Sequence, residues 1–397
     1  MTKSNSIAAM KDEIAAYRRA MHENPQTAYE EEFASNLVAE KLAAWGIKFE
    51  RGIAKTGIVA TIEGQKTSSG KAIALRADMD ALDITEADNK PWKSKTPGKM
   101  HGCGHDGHTA MLLGAAKYLS ETRNFDGKVH LIFQPAEEGQ GGAILMIKEG
   151  LFKKFPCDAV YGMHNWPGLP KGTIGLRPGP IMAAADRFSI TIHGKGGHAA
   201  QPHNTIDPVV VGAQIVTTLQ TLISRTLNPV QPGVISVTNF NAGTGAFNVI
   251  AETATLTGTI RSFDPAVRAM LKKRVEEMAT ASAALHGAKA ECSFTEGYDP
   301  TINDPEATEF CASIARRIVG AENVDTDIAP SMGAEDFGAM LAEKPGCYIK
   351  MGQGEKDPAS NHNRGLHTPQ YDFNDDIIPL GIEYWVTLVE EALKLEK

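Results

Sequence analysis

The sequence predicts an α/β fold, a mostly parallel sheet covered by helices, with a smaller α+β ferredoxin-like domain inserted into it. Three observations lead there. Short β-rich runs alternate with helical stretches as far as Met163, a Pro/Gly stretch changes the texture at Pro178–Ala185, and the segment that follows runs strand, helix, strand, strand, helix, strand. In order, Ile7, Met10, Ile14, Tyr17 and Met21, then Phe33, Leu37, Val38, Leu42 and Trp45, recur at helical spacing, and Gly46 closes the second helix. Strands are expected at Ile58–Ile62, Ala72–Ala77, Val129–Phe133 and Ala159–Met163, with helices at Thr109–Leu119 and Ile144–Lys148 between them. The insert reads as a strand from Phe188 to His193, a helix Pro208–Thr226, strands Val234–Phe240 and Thr253–Arg261, a helix Pro265–Leu285 and a strand Lys289–Thr295. The chain then returns to helices, an apolar strand Cys347–Met351 and a final amphipathic helix Asp376–Leu393. Residues 1–182 and 298–397 are thus expected to form one domain and 183–297 the other.

Composition removes several functions. With 40 basic against 48 acidic residues, the net charge is -8, and no basic block offers a footprint for nucleic acid. No window approaches the ~20 apolar residues of a membrane span. The N-terminus carries Lys3, Asn5, Lys11 and Asp12 rather than the apolar core of a secretory signal, which points to the cytoplasm. Five scattered cysteines do not make a disulfide framework.

The densest chemistry lies in Met100-His-Gly-Cys-Gly-His-Asp-Gly-His108. Cys103 and His105, two apart in a glycine-rich loop before a helix, can turn toward one point, and thiolate with imidazole suits zinc and related divalent metals. The strand Val129–Phe133 delivers Glu137 and Glu138. Adjacent side chains of an extended segment point apart, so one is free to bind metal while the other acts as general base. Asp78 and His164 end two further strands, and ligands in open α/β sheets gather outside such strand ends. His22, His130 and His286 occupy ordinary helix or strand positions and receive no role.

Five segments, in order, carry a resemblance: His101-Gly-Cys-Gly-His-Asp-Gly-His-Thr-Ala-Met111, Phe133-Gln-Pro-Ala-Glu-Glu-Gly139, Met163-His-Asn-Trp-Pro-Gly168, His193-Gly-Lys-Gly-Gly-His-Ala-Ala-Gln-Pro-His203 and Leu366-His-Thr-Pro-Gln-Tyr-Asp-Phe373. Together they resemble the M20 metallopeptidase family, in its branch of hippurate hydrolases, N-acyl-amino-acid amidohydrolases and indole-acetyl-amino-acid hydrolases. The resemblance implies hydrolysis of the amide of a small N-acyl amino acid or dipeptide by two divalent metals, zinc or manganese, with cobalt or nickel also compatible. It implies that Cys103 bridges, that Glu138 and His367 complete one metal and His105 and His164 the other, and that Glu137 is the base. Asp78 resembles an aspartate that orients an imidazole ligand. Arg76 stands where the wider family has a histidine, a part that His105 takes over. The insert resembles a dimerisation or lid domain, so a homodimer or higher homo-oligomer is expected. There His198 is similar to a residue that reaches the neighbouring subunit's site and stabilises an oxyanion, and Asn248 and Arg261 to residues that hold the substrate carboxylate. Asp83 and Ala251 depart from the usual prolines. Competing readings are a dipeptidase, aminopeptidase or deacetylase on the same metals, a hydrolase using Cys103 as nucleophile, and a non-catalytic metal-binding protein.

Overall fold

The structure, a computed structural model, describes residues 2–395. Its chain folds as two compact units, the first made of residues up to Ile181, Thr301–Ala329 and from Asp336 onward, the second of Met182–Pro300 with Pro330–Glu335. The six residues 330–335, which the sequence reading leaves in the first domain, pack with the second.

In the first unit helices α1 (Lys3–Ala9), α2 (Lys11–Glu23) and α3 (Glu32–Ala44) precede strands β1 (Lys48–Ile53), β2 (Gly57–Glu63) and β3 (Ala72–Asp78). Then come α4 (His105–Thr122), β4 (Lys128–Gln134), the short turns α5 (Glu137–Gln140), α6 (Gly142–Lys148) and α7 (Leu151–Lys154), β5 (Ala159–Pro170), β6 (Ile174–Gly175) and β7 (Gly179–Met182). The second unit contributes β8 (Ala184–His193), β9 (Gly197–His198), α8 (Pro208–Thr221), β10 (Gly233–Ala242), β11 (Val249–Ile250), β12 (Thr253–Ser262), α9 (Pro265–Leu285) and β13 (Lys289–Glu296). The first unit resumes with β14 (Thr301–Asn303), α10 (Pro305–Val319), β15 (Val324–Asp325), α11 (Phe337–Glu343), β16 (Gly346–Gly354) and α12 (Ile378–Ala392).

The large sheet has the order β1-β2-β4-β3-β5-β16-β6-β15. Its centre, β4-β3-β5-β16, is parallel, while β1, β2 and β6 join antiparallel. Central strands covered on both faces must be apolar throughout, and β2, β3, β4 and β16 are buried almost end to end. Helix α4 lies under them, with 13 of its 18 residues buried. Gly114 lets α12 approach, since a Cβ there would meet Ile382.

The second unit's sheet runs β13-β8-β12-β10 with every pair antiparallel, the ferredoxin-like order expected of βαββαβ. Strand β8 alternates as its sequence suggests, burying Ala184, Asp186, Phe188, Ile190 and Ile192. Helix α9 starts where the Asp264 carboxylate accepts from the Ala266 and Val267 amides and Pro265 presets φ. It buries Val267, Leu271, Val275, Ala279 and Ala283, one per turn. The helix expected over Pro208–Thr226 ends at Thr221 and continues as one π turn, Leu222–Thr226.

Candidate metal centre

The carboxyl ends of the parallel strands deliver the site, with three local differences from the sequence reading. Helix α4 begins at His105, so the motif enters its first turn instead of preceding it. Glu137 and Glu138 are not on an extended segment: Ala136 turns left-handed (φ 55°) and the pair occupies an irregular helical turn. His164 lies inside β5, which continues to Pro170, rather than at its end.

Positive-φ backbone also occurs at and beside the candidate ligands. Gly104, between Cys103 and His105, has φ 97°, and a Cβ on it would strike Asn165 and Tyr371. His367 itself has φ 62° and is tied by its amide to the Gly102 carbonyl at 2.8 Å. Left-handed non-glycine residues cost on the order of 1–3 kcal/mol each and persist where surrounding structure over-determines them, commonly at functional sites.

The result is two groups that share one sulfur. Cys103, His105 and His164 place ligand atoms within 4.8 Å of one another, and so do Cys103, Glu138 and His367. His164 Nε2 lies 3.3 Å from Cys103 Sγ while its Nδ1 is 2.6 Å from the Asn165 carbonyl, which can only accept, so the Nε2 lone pair faces the sulfur. Glu138 Oε1 lies 3.1 Å from His367 Nε2. His105 Nε2 and Glu138 Oε1 are buried without a hydrogen-bond partner, in a protein whose other buried polar groups are largely satisfied. Imidazole nitrogens and a carboxylate gathered around a shared thiol are a donor set that fits divalent cations. Glu137, buried, joins His105 and Glu138 in a third such group.

Electrostatics agree. Burial pushes the Cys103 thiol well up, and Glu138, Glu137 and Asp78 push it further. Burial would lower His105, but Asp78, Asp80 and Glu138 override it and raise the imidazole to about 10. His164 is pushed well down by burial, with His108 adding to the effect. Metal binding requires the Cys103 thiol and the His105 imidazole to give up the protons these surroundings favour.

The supporting residues were mostly passed over by the sequence reading. Asp80 accepts the Glu137 amide at 3.1 Å on Oδ1 and the Glu138 amide at 2.9 Å on Oδ2, and its Oδ1 is 3.2 Å from His105 Nδ1. One carboxylate therefore aims His105 Nε2 and holds the Glu137–Glu138 turn. Asp78, expected to orient an imidazole ligand, bonds an imidazole outside the proposed ligand set: it is 2.6 Å from His108 Nδ1, with His105 Nε2 at 3.7 Å. Arg76 clamps Asp78 at 2.7 Å and reaches Gln134 and Asp336, and Asp336 also accepts the Ala143 amide. Behind α4, His22 sits buried between Asp106 (2.9 Å) and Glu86 (3.1 Å), with Arg18 beside Asp106. Apart from Arg76–Asp78, two residues apart on β3, no local pattern in the sequence marks these pairings, because they join segments far apart in the chain.

The second unit carries the other three expected residues, and it does not gather them. His198 and Asn248 are exposed neighbours on the β9–β11 ladder, where His198 pairs with Val249 and its Nδ1 accepts the Ala200 amide at 3.1 Å. That ladder leads into the Thr253 end of β12, whereas Arg261 lies eight residues along the strand, about 26 Å away at the rise of extended chain.

The signature of peptidase family M20/M25/M40 matches residues 74–391. The chain belongs to peptidase family M20. As an M20 enzyme it is a metal-dependent hydrolase of the amidohydrolase and peptidase kind. It is 37% identical to a hippurate hydrolase of Campylobacter jejuni over 98% of both chains. It is 41% identical to thermostable carboxypeptidase 2 of Saccharolobus solfataricus over 95% of this chain and 94% of that one. A solved dinuclear metal-binding M20 peptidase from Bacillus subtilis superposes with a TM-score of 0.82 at 33% identity, covering 98% of this chain and 99% of that one. No described helix is long and apolar enough to cross a membrane.

Proposed function

We propose that this M20 enzyme hydrolyses the amide bond of N-acyl amino acids of the hippurate type, with Glu137 as general base. The observation that carries the reading is the pair of ligand groups sharing Cys103 Sγ, with the Glu137 carboxylate beside them. Cys103 would bridge two divalent ions, Glu138 and His367 completing one and His105 and His164 the other, as the likeness to a dinuclear relative supports. Zinc and manganese suit the set, and cobalt or nickel are also compatible. Bound there, the ions would supply Lewis acidity for the amide carbonyl and lower the pKa of water. Glu137 takes the proton of the attacking water at a carboxylate oxygen and passes it to the leaving amine nitrogen. Asp80 keeps that carboxylate aimed by fixing the two amides of its turn. Arg261 pairs with the substrate's α-carboxylate, helped by Asn248 of a second copy of the chain, whose His198 donates to the oxyanion.

Because the His198 and Asn248 neighbourhood and Arg261 are separated by about 26 Å of extended chain along β12, a distance no N-acyl amino acid spans, we assign the His198 and Asn248 acting at each site to a second copy of the chain. A homodimer through the second unit meets this need. Its edge strand β10 is unpaired on one side, and Phe240, Phe247, Val249, Val209 and Val210 expose apolar surface on that unit. A Cys103 nucleophile is disfavoured, since carboxylates crowd the thiol where a reactive cysteine needs positive surroundings.

The test is a hydrolysis panel of N-acetyl, N-benzoyl and indole-acetyl amino acids and dipeptides with zinc, manganese, cobalt and nickel. Cleavage of N-acyl amino acids that stops on chelation is expected. Cleavage of dipeptides alone would replace the reading with a peptidase, and activity surviving exhaustive metal removal would end the metal reading altogether.

A further inference from the structure

Lys350 sits in the middle of β16, a strand buried along its whole length. Its ladder partner is His164 on β5, and residues paired across neighbouring strands project to the same face of a sheet. Trp166, two residues past His164, projects there too. Lys350 Nζ lies 3.8 Å from the centroid of the Trp166 ring, which is 6.0 Å from that of His164. Three lysine or arginine side chains are buried among the described residues: Arg18, Arg76 and Lys350. Asp106 and Asp375 match Arg18, and Asp78 and Asp336 match Arg76. Lys350, at 2% exposure, has no carboxylate in ion-pair reach and no hydrogen-bond acceptor among the described residues.

A desolvated ammonium ordinarily has a counter-charge, and a ring face offsets only part of the cost of burying it. Trp166 is itself only half-buried, so its ring is the part of this wall that a ligand can reach. An anionic group laid against that wall, beside candidate ligand His164, supplies the missing partner. A neutral acyl group there would leave the ammonium unmatched. The α-carboxylate is already assigned to Arg261.

We propose that Lys350 is a specificity-determining cation that selects N-acyl amino acids carrying a second carboxylate. The inference rests on the hydrolase reading above and narrows its substrate class. Two matched pairs test it on the metal-loaded full chain. N-acetylglutamate against N-acetylglutamine places the second carboxylate on the amino-acid side, and N-succinyl-leucine against N-butyryl-leucine places it on the acyl side. In one pair the dicarboxylate is favoured at least about tenfold in kcat/KM, mainly through KM, because a buried charge discriminates strongly against the uncharged analogue. Lys350→Met, which keeps the volume and removes a desolvated charge, collapses that preference, and Lys350→Arg retains it. No preference in either pair, or one unchanged in Lys350→Met, overturns the inference. Calorimetry with glutarate and butyrate separates the two levels. Tighter glutarate binding by the wild type that Lys350→Met loses supports the anion site even if no N-acyl amino acid is cleaved, a failure that would sink only the hydrolase reading. Equal binding of glutarate by both proteins overturns the anion site.

Discussion

The two units put their functional side chains on different foundations. In the first, the candidate metal ligands stand at a helix start, in turns or, for His164, within a central strand, and neighbours fix the orientation of several: Asp80 holds His105 and the Glu137–Glu138 turn, and the Asn165 carbonyl holds His164. In the second, His198 lies exposed on a ladder of two residues per strand with Asn248 exposed just before it, and Arg261 is a strand length away. A preorganised cluster can bind cations by itself. Residues spread over an exposed surface become a site only when another molecule brings the rest.

The sharpest way to break this contrast is at Glu137. Glu137→Gln is expected to keep its metal and lose about 10²–10⁴-fold in kcat, the usual contribution of a general base. Full metal with unimpaired turnover would remove Glu137 from the chemistry. His198→Ala is expected to lose about 10²–10³-fold in kcat with metal content unchanged, as for an oxyanion donor. Mixing it with Glu137→Gln gives a stronger readout. Random exchange rebuilds one intact site in each heterodimer, so activity should recover toward about a quarter of wild type. Equal inactivity of the mixture and its parents would place His198 on its own chain's site.

Much of this arrangement was legible in the sequence. Cys103 and His105 two apart among glycines, and carboxylates or imidazoles following apolar strands, announce themselves because ligand chemistry and strand-end geometry are both local. What was hidden depends on contacts between distant segments. Asp80 carries no signal in the sequence, since its partners are the His105 imidazole and backbone amides of an irregular turn that begins at the left-handed Ala136. His22 looked like an ordinary helix residue until folding set it between Asp106 and Glu86. Lys350 was absorbed into an apolar run, and its lack of a partner becomes visible only when the neighbouring strands are in place.

The buried His22 network sharpens the comparison at lower amplitude. Burial would raise Glu86, but His22, the Ser94 amide and Lys90 hold its carboxyl down at about 2. A depressed carboxylate contributes stability above its unfolded pKa and loses it as pH falls through the folded value. Glu86→Gln should therefore cost on the order of 2 kcal/mol at pH 7, and the gap to wild type should narrow from pH 4.5 toward pH 2 in denaturant titrations. A gap constant over that range would mean that Glu86 acts by packing alone.

The central claim is that one cysteine joins two ligand groups on the first unit. Metal content per chain, measured together with hydrolysis for the wild type and Cys103→Ala, tests it most directly. The account predicts two divalent ions per wild-type chain and loss of both metal and activity in Cys103→Ala. A single ion per chain, or full metal and activity in Cys103→Ala, would contradict it.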